Sequence, residues 1–261
     1  MGKRTTWVAC GAVALALVGL AALVAWALGA WWIGSAMGAV VALVYLVGTF
    51  GASTPIFGRV ARARDDEPLF ALTFDDGPDP RHTLAISRLL AERGHRATFF
   101  VLARQVRAHA EVAAQVAADG HELANHGDDH RLLAFSLPRT IGAQLAAAEE
   151  AVRAATGRSP APLFRASHGY RSPWLGRVVR GRGYRLCGWD GRIFDTSLPG
   201  AEKIAKRARR VLRPGAVLLL HDGDGSGRGR SRQQTVDALP AILDEAERRG
   251  LRSVPLGELL R

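Results

Sequence analysis

The chain reads as an α/β protein: a distorted or incomplete (β/α) barrel of about seven parallel strands, preceded by an N-terminal transmembrane helical hairpin. Three observations predict this. Short apolar runs alternate with helical patterns across residues 67–261, the signature of parallel strands covered by helices. Seven such runs in ~195 residues fall short of a complete eight-fold barrel, and an open doubly wound sheet is the alternative. Finally, no Asp, Glu, Lys or Arg occurs between Thr5 and Gly58, a run far longer than the ~20 apolar residues needed to cross a bilayer.

From the N-terminus, residues 7–28 and 32–50 each fit one span, with Gly29, Ala30 and Trp31 at the turn. Trp7 would lie at one interface, Trp26, Trp31 and Trp32 at the other, and Phe50 back near the first, as interfacial aromatics distribute. A single long span or an uncleaved signal anchor is the competing reading; a cleaved signal peptide has an apolar core of only ~7–15 residues. Residues 1–58 are therefore expected to be a membrane anchor, 59–66 a linker of mixed charge and 67–261 a single α/β domain. With two spans, Lys3 and Arg4 lie on the same side as Arg59, Arg62 and Arg64, which the positive-inside rule makes cytoplasmic. With one span the domain faces outward.

In the domain, strands are expected over 69–74, 97–102, 122–125, 163–166, 184–189, 216–221 and 253–256. Helical patterns cover 83–93, 103–119, 137–156, 201–212 and 233–249. Of the net charge of +11, Lys3 and Arg4 account for two, which leaves +9 beyond them. No basic helix or basic-aromatic motif concentrates this charge, so nucleic acid is not an expected partner. A cationic face near anionic lipid suits a tethered domain. Cys10 falls in the first span and Cys187 on a strand, so neither a disulfide nor a thiol metal site is expected.

The polar residues that carry chemistry sit at strand ends, where parallel sheets place their active sites. Asp75 and Asp76 end the first strand. His126 follows the third, with His130 four residues on; Arg165 ends the next, Asp195 comes shortly after Trp189, and His221 ends "VLLLH". Two adjacent carboxylates repel unless a positive group lies between or beside them. Two histidines and one carboxylate with open positions make a catalytic zinc-type or related divalent site. One aspartate would hold the ion while the other acts as a base on water.

These residues resemble the five ordered motifs of the polysaccharide deacetylases, the NodB-homology carbohydrate esterases of family 4. They are "TFDDGP" at 73–78, "NH" with the second histidine at 125–130, "FR" at 164–165, Asp195 and "LLH" at 219–221. The resemblance covers roughly residues 67–261. It implies one divalent metal, usually zinc, held by Asp76, His126 and His130. It also implies Asp75 as general base oriented by Arg165, and His221 as general acid tuned by Asp195. The implied reaction removes an N-acyl group, foremost acetyl, from an amino sugar. An outward domain would meet peptidoglycan or another polysaccharide, an inward one a lipid-linked glycan. Hydrolysis of a non-sugar amide and a catalytically silent glycan-binding role are the alternatives.

The chemistry suits these residue types on its own terms. The leaving amine needs a proton, which an imidazolium supplies, and a base and an acid need pKa values pushed apart. A backbone N–H near residues 167–170 is expected to face the oxyanion. The chain departs from the family pattern at Gly127, Arg131, His168 and Thr196, which reshapes the groove walls. Candidate groove residues are His168, Tyr170, Trp174 and Leu219. Trp174 either stacks on a sugar or seals a helix start, His168 either lines the groove or shapes its loop, and Asp128 and Asp129 compete as ligands. The "GDGSGRGR" stretch at 223–230 lacks the Lys-Ser/Thr of a phosphate loop and reads as a flexible loop.

Overall fold

The computed structural model describes residues 5–51, 56, 60–61 and 65–260, with side chains from residue 16 on except at 60 and 61. Two apolar helices come first, α1 (Thr5–Ala27) and α2 (Trp31–Phe50). Gly29 turns the chain between them at φ +82°, a conformation that suits a residue without Cβ. The two lie close: a Cβ on Gly34 would stand 2.6 Å from the Ala22 carbonyl oxygen. Among the described residues α2 alone is long and apolar enough to cross a membrane, and in α1 the apolar stretch so described is Ala16–Ala27. The basic flanks Lys3, Arg4, Arg59, Arg62 and Arg64 and the side chains of Trp7 and Cys10 lie outside the described residues.

The rest is an eight-stranded parallel sheet. Its strands are β1 (Val60–Ala61), β2 (Leu69–Asp75), β3 (Ala97–Val101), β4 (Glu122–Asn125), β5 (Ala161–Phe164), β6 (Arg185–Cys187), β7 (Val217–His221) and β8 (Arg252–Ser253). The order is β1-β6-β5-β4-β3-β2-β7, with β8 paired to the start of β2. No pairing joins β1 to β7 among the described residues, so the sheet is an open, incomplete barrel. The strands are near-continuous apolar runs because both faces are covered; Phe70, Leu72, Phe74, Phe99 and Phe100 are fully buried. β2 lies between β3 and the end strand β7, and Asp75 stands in register with His221 across the β2–β7 pair.

Helices α3 (His82–Glu92), α4 (Ala103–Ala108), α5 (Ala110–Ala118), α6 (Pro138–Thr156), α7 (Pro173–Gly181), α8 (Ala201–Val211), α9 (Gln233–Arg248) and α10 (Leu256–Leu259) complete the fold. α6 starts with Pro138 and stops where Gly157 takes φ +71°, and α7 starts where the Ser172 hydroxyl accepts the Leu175 N–H.

Four expectations change. The expected 59–66 linker contributes β1, which adds an eighth strand through only two residues paired with Leu186 and Cys187. The pattern at 103–119 splits at His109, whose φ −138° and ψ 53° leave the helical region. The last strand is shorter than expected, and Leu256 instead opens α10. A basic helix does exist: α8 buries Ile204, Ala205 and Ala208 and leaves Lys203, Lys206, Arg209 and Arg210 exposed.

Candidate metal centre and acid–base site

Asp75 closes β2, and Arg165, one residue past β5, holds it. The guanidinium donates from Nη1 to Asp75 Oδ1 at 2.7 Å and to the Thr73 hydroxyl at 2.8 Å, and from Nη2 to the Gly188 carbonyl at 3.0 Å. The Thr73 hydroxyl in turn donates to the Leu218 carbonyl at 2.7 Å. Arg165 is fully buried, 4.1 Å above the Phe100 ring. A planar fork with several fixed acceptors is the way arginine orients a carboxylate.

Asp76 turns the other way. Its φ of +80° is unusual for an L-residue and marks a conformation imposed by surrounding structure. It is buried, its Oδ1 has no hydrogen-bond donor, and it lies 3.2 Å from His130 Nε2 and 3.5 Å from His126 Nε2. One ligand atom from each of Asp76, His126 and His130 falls within 4.8 Å of the others. An orphaned buried carboxylate oxygen facing two imidazole nitrogens is a donor set that fits one divalent cation. Burial opposes charge on Asp76, yet the neighbouring histidines His126, His221 and His130 outweigh it and hold its carboxyl well below the usual carboxylate range.

His126 and His130 are carried by an irregular loop after β4, not a helix. Gly127 at φ +86° and His130 at φ +61° bend it. The Gly127 N–H bonds Asn125 Oδ1 at 2.9 Å, and Gln144 Oε1 accepts the Asp128 N–H at 2.8 Å. His126 Nδ1 sits 2.8 Å from the Arg165 carbonyl, which keeps its Nε2 toward Asp76. Burial disfavours charge on His126, but Asp75 and Asp76 raise its pKa overall. His130, burial dominating, is pushed down to about 4 and stays neutral, the form that ligates. Asp128 and Asp129 do not compete for this position: Asp128 pairs with Arg107 and Asp129 with Arg131.

His221 closes β7. Its Nδ1 lies 2.8 Å from Asp195 Oδ1, while Asp195 Oδ2 accepts the His221 N–H at 2.8 Å and the Thr235 hydroxyl at 2.9 Å. Burial works against charge on this imidazole, yet Asp195 raises its pKa to about 9. It is therefore an imidazolium at neutral pH. The arrangement thus pairs an oriented carboxylate with a charged imidazole on neighbouring strands, beside a cation-ready triad.

A groove of about 510 Å³ runs over these groups, lined also by His168, Tyr170, Trp189, Phe194, Thr196 and Leu219. His168, at φ +60°, packs its ring edge-on against His130 at 4.5 Å. The N–H of Gly169 closes a turn onto Ala166 O at 2.8 Å, whereas that of Tyr170 makes only a long 3.4 Å contact to Ser167 O and is the freer donor. Trp174 is the exception among the expected groove residues. It stands 53% exposed at the start of α7, outside the groove lining, with Arg177 6.0 Å over its ring.

Sequence reasoning missed Gln144, whose Oε1 accepts the Asp128 and Asp129 N–H groups beside His130, and Thr235, whose hydroxyl donates to Asp195 Oδ2. Thr73 and Asn125 lie in the quoted motifs, and their roles are to accept from Arg165 and from the Gly127 N–H. The start of the glycine-rich stretch after His221 is packed against Asp76, while residues 226–230 are exposed. Cβ atoms on Gly223 and Gly225 would stand 2.4 Å from the Asp76 carbonyl oxygen and 2.6 Å from its carboxylate, so glycine is required there for close approach. Its glycine density was the available signal. The end of α2 also reaches the groove: the Arg171 N–H donates to Thr49 O at 3.1 Å, the Arg171 guanidinium to Gly51 O, and Phe50 meets Tyr170 edge-on at 4.8 Å.

A parallel open barrel with such a site at its strand ends defines a hydrolase architecture of the carbohydrate esterase type. The family model for polysaccharide deacetylase matches residues 62–187. A chitooligosaccharide deacetylase of Azorhizobium caulinodans is 31% identical over 207 residues, covering 77% of this chain and 99% of that protein. A peptidoglycan-N-acetylglucosamine deacetylase of Bacillus cereus is 33% identical over 199 residues, covering 76% and 90%. A solved peptidoglycan N-acetylglucosamine deacetylase, 26% identical, superposes with a TM-score of 0.72 over 77% of this chain and 91% of its own. The chain belongs to the polysaccharide deacetylase family.

Proposed function

We propose that this protein is a membrane-anchored, metal-dependent hydrolase that removes the N-acetyl group from an N-acetylated amino sugar. Residues 1–58 anchor it through two passes and residues 67–261 carry out the reaction. The reading rests above all on the Asp76–His126–His130 triad lying between a carboxylate fixed by Arg165 and an imidazolium fixed by Asp195. The names of the relatives, which act on chitooligosaccharide and peptidoglycan, supply the substrate class. A divalent ion held by Asp76, His126 and His130, zinc by the preference of this donor set, would polarise the acetyl carbonyl and lower the pKa of a water toward neutrality.

The protein's own groups do the rest. Asp75, its Oδ1 engaged by Arg165, takes a proton from the attacking water as the new C–O bond forms. The charge that builds on the carbonyl oxygen faces the Tyr170 N–H. His221, protonated at neutral pH because of Asp195, gives its Nε2 proton to the sugar nitrogen as the C–N bond breaks. Acetate and a free amine leave. His168, Tyr170 and Leu219 bound the sugar, while Trp174 stands outside the groove lining.

The test is acetate release from N-acetylchitooligosaccharides by the zinc-loaded full chain and by Asp75→Asn. We expect release by the wild type and none above background by the variant at equal bound zinc. No release from any N-acyl substrate by zinc-loaded wild type would sink the hydrolase reading and leave a silent glycan-binding protein.

A further inference from the structure

Beyond residue 56, the exposed large apolar side chains among the described residues are Leu132, Phe135, Leu137, Trp174, Phe194 and Leu198. They are not scattered. Leu132, Phe135 and Leu137 follow β4, Trp174 follows β5, and Phe194 and Leu198 follow β6. All therefore project from the carboxyl ends of strands, on the face that carries the catalytic groups. A soluble domain scatters such residues; a single-faced collar marks a surface that meets something apolar. Exposed Arg139, Arg177 and Arg192 alternate with them; of the acidic residues of these segments, Asp128, Asp129 and Asp190 are paired with Arg107, Arg131 and Arg213, and Asp195 is buried against His221. Aromatic and leucine side chains interleaved with arginines are what an anionic bilayer surface binds.

The anchor gives an independent reason to orient this face. The carboxyl end of α2 is docked at the rim, where Thr49 is buried and its carbonyl accepts the Arg171 N–H. Phe50 and Gly51 also line a second compartment of the groove that shares His168, Tyr170 and His221 with the first. If α2 spans the membrane, its last turn ends at the bilayer surface, and the groove begins there.

We propose that the active-site rim lies on the membrane surface and that the substrate is an amino sugar carried on a lipid, presented to the groove from the bilayer beside α2. This rests on the deacetylase reading and narrows its substrate. A soluble oligosaccharide enters the same groove without the gain in local concentration that confinement to the membrane gives a lipid-linked one.

The full-length zinc-loaded chain in anionic vesicles would be given a polyprenyl-diphosphate-linked N-acetylglucosamine and, separately, tetra-N-acetylchitotetraose. We expect kcat/KM at least about tenfold higher for the lipid-linked sugar. The double variant Phe135→Ser with Leu137→Ser, both residues exposed and outside the groove, should erase most of that advantage and leave chitotetraose turnover unchanged. Equal turnover of the two substrates, or an advantage untouched by the double variant, overturns the inference while the deacetylase reading stands; acetate from neither overturns both. A nitroxide at Leu137→Cys supplies a readout without turnover. It should be more accessible to oxygen than to a water-soluble nickel chelate, unlike a nitroxide at Arg248→Cys on the far end of the barrel. A water-like signal at both positions refutes the membrane-facing rim.

Discussion

Replacing Asp195 with Asn tests the acid–base assignment most sharply, because it removes a charge without changing shape. Asp195 is 1% exposed and makes three polar contacts, to His221 Nδ1, the His221 N–H and the Thr235 hydroxyl. An amide can keep accepting from the His221 N–H and the Thr235 hydroxyl with its oxygen only by turning its NH2 toward Nδ1. That favours the neutral imidazole with its proton on Nε2 and so lowers the pKa of the imidazolium that has to donate a proton. If the pKa falls from about 9 to the ordinary ~6.5, the protonated fraction near pH 8 drops from about 0.9 to about 0.03, roughly a 30-fold loss. Near pH 6 the same change costs less than about twofold. The sign follows from the raised pKa: the active imidazolium persists below it and is lost as pH rises through it. The assay is acetate release across pH 5–10 by both proteins at matched bound zinc, with thermal melts to confirm folding. The wild-type alkaline limb should lie near 9 and that of the variant two or more units lower. An unshifted limb, or a loss equal at pH 6 and pH 8, would refute the role of Asp195 in setting the proton on His221.

Other outcomes follow from the same geometry. Chelation should abolish acetate release, and zinc at about a hundredfold above its Kd should add about 2.7 kcal/mol to unfolding stability; Asp76→Ala should show neither the stabilisation nor tight zinc binding by calorimetry. Arg165→Met leaves Asp75 buried without its cation, and denaturant unfolding should show a loss of about 3–5 kcal/mol. Gly127→Ala introduces a Cβ at φ +86° and 3.1 Å from Gln144 Oε1, and urea melts should show a loss of about 1 kcal/mol or more. Zinc affinity should fall with it, whereas Gly94→Ala, at φ +70° in open space, should leave zinc binding alone.

The strands of the sheet were legible because burial on both faces turns them into short apolar runs, and β2, β3 and β7 stand where those runs lie. The site was legible because parallel strands deliver their terminal residues to one rim, so Asp75, Asp76, His126, Arg165, Asp195 and His221 meet without any pairwise signal in the sequence. What escaped reading depends on contacts between distant segments. β1 is two residues long and exists only through its pairing with β6. The break at His109 falls in "VRAHAEV", which contains neither Gly nor Pro, and packing of α4 and α5 against α6 decides it. Trp174 directly follows the Ser-Pro pair that caps and starts α7, and it stands outside the groove lining, a placement its position in the sequence leaves open. The docking of α2 on Arg171 and Tyr170 joins residues some 120 positions apart and leaves no local trace.

The register of Asp75 with His221 places the two groups on adjacent strands of a buried sheet. Their separation is thus set by the spacing of neighbouring strands, about 4.8 Å between backbones, which core substitutions scarcely alter. The reaction geometry is then a lattice constant of the scaffold, and the walls are interchangeable parts. Outside the residues that hold the site, the wall segments 131–137, 167–170 and 196–198 are the places to vary when retargeting the sugar, while His130, Asp195 and the β2–β7 ruler stay untouched. The glycine contacts around Asp76 mark where such grafting has to stop.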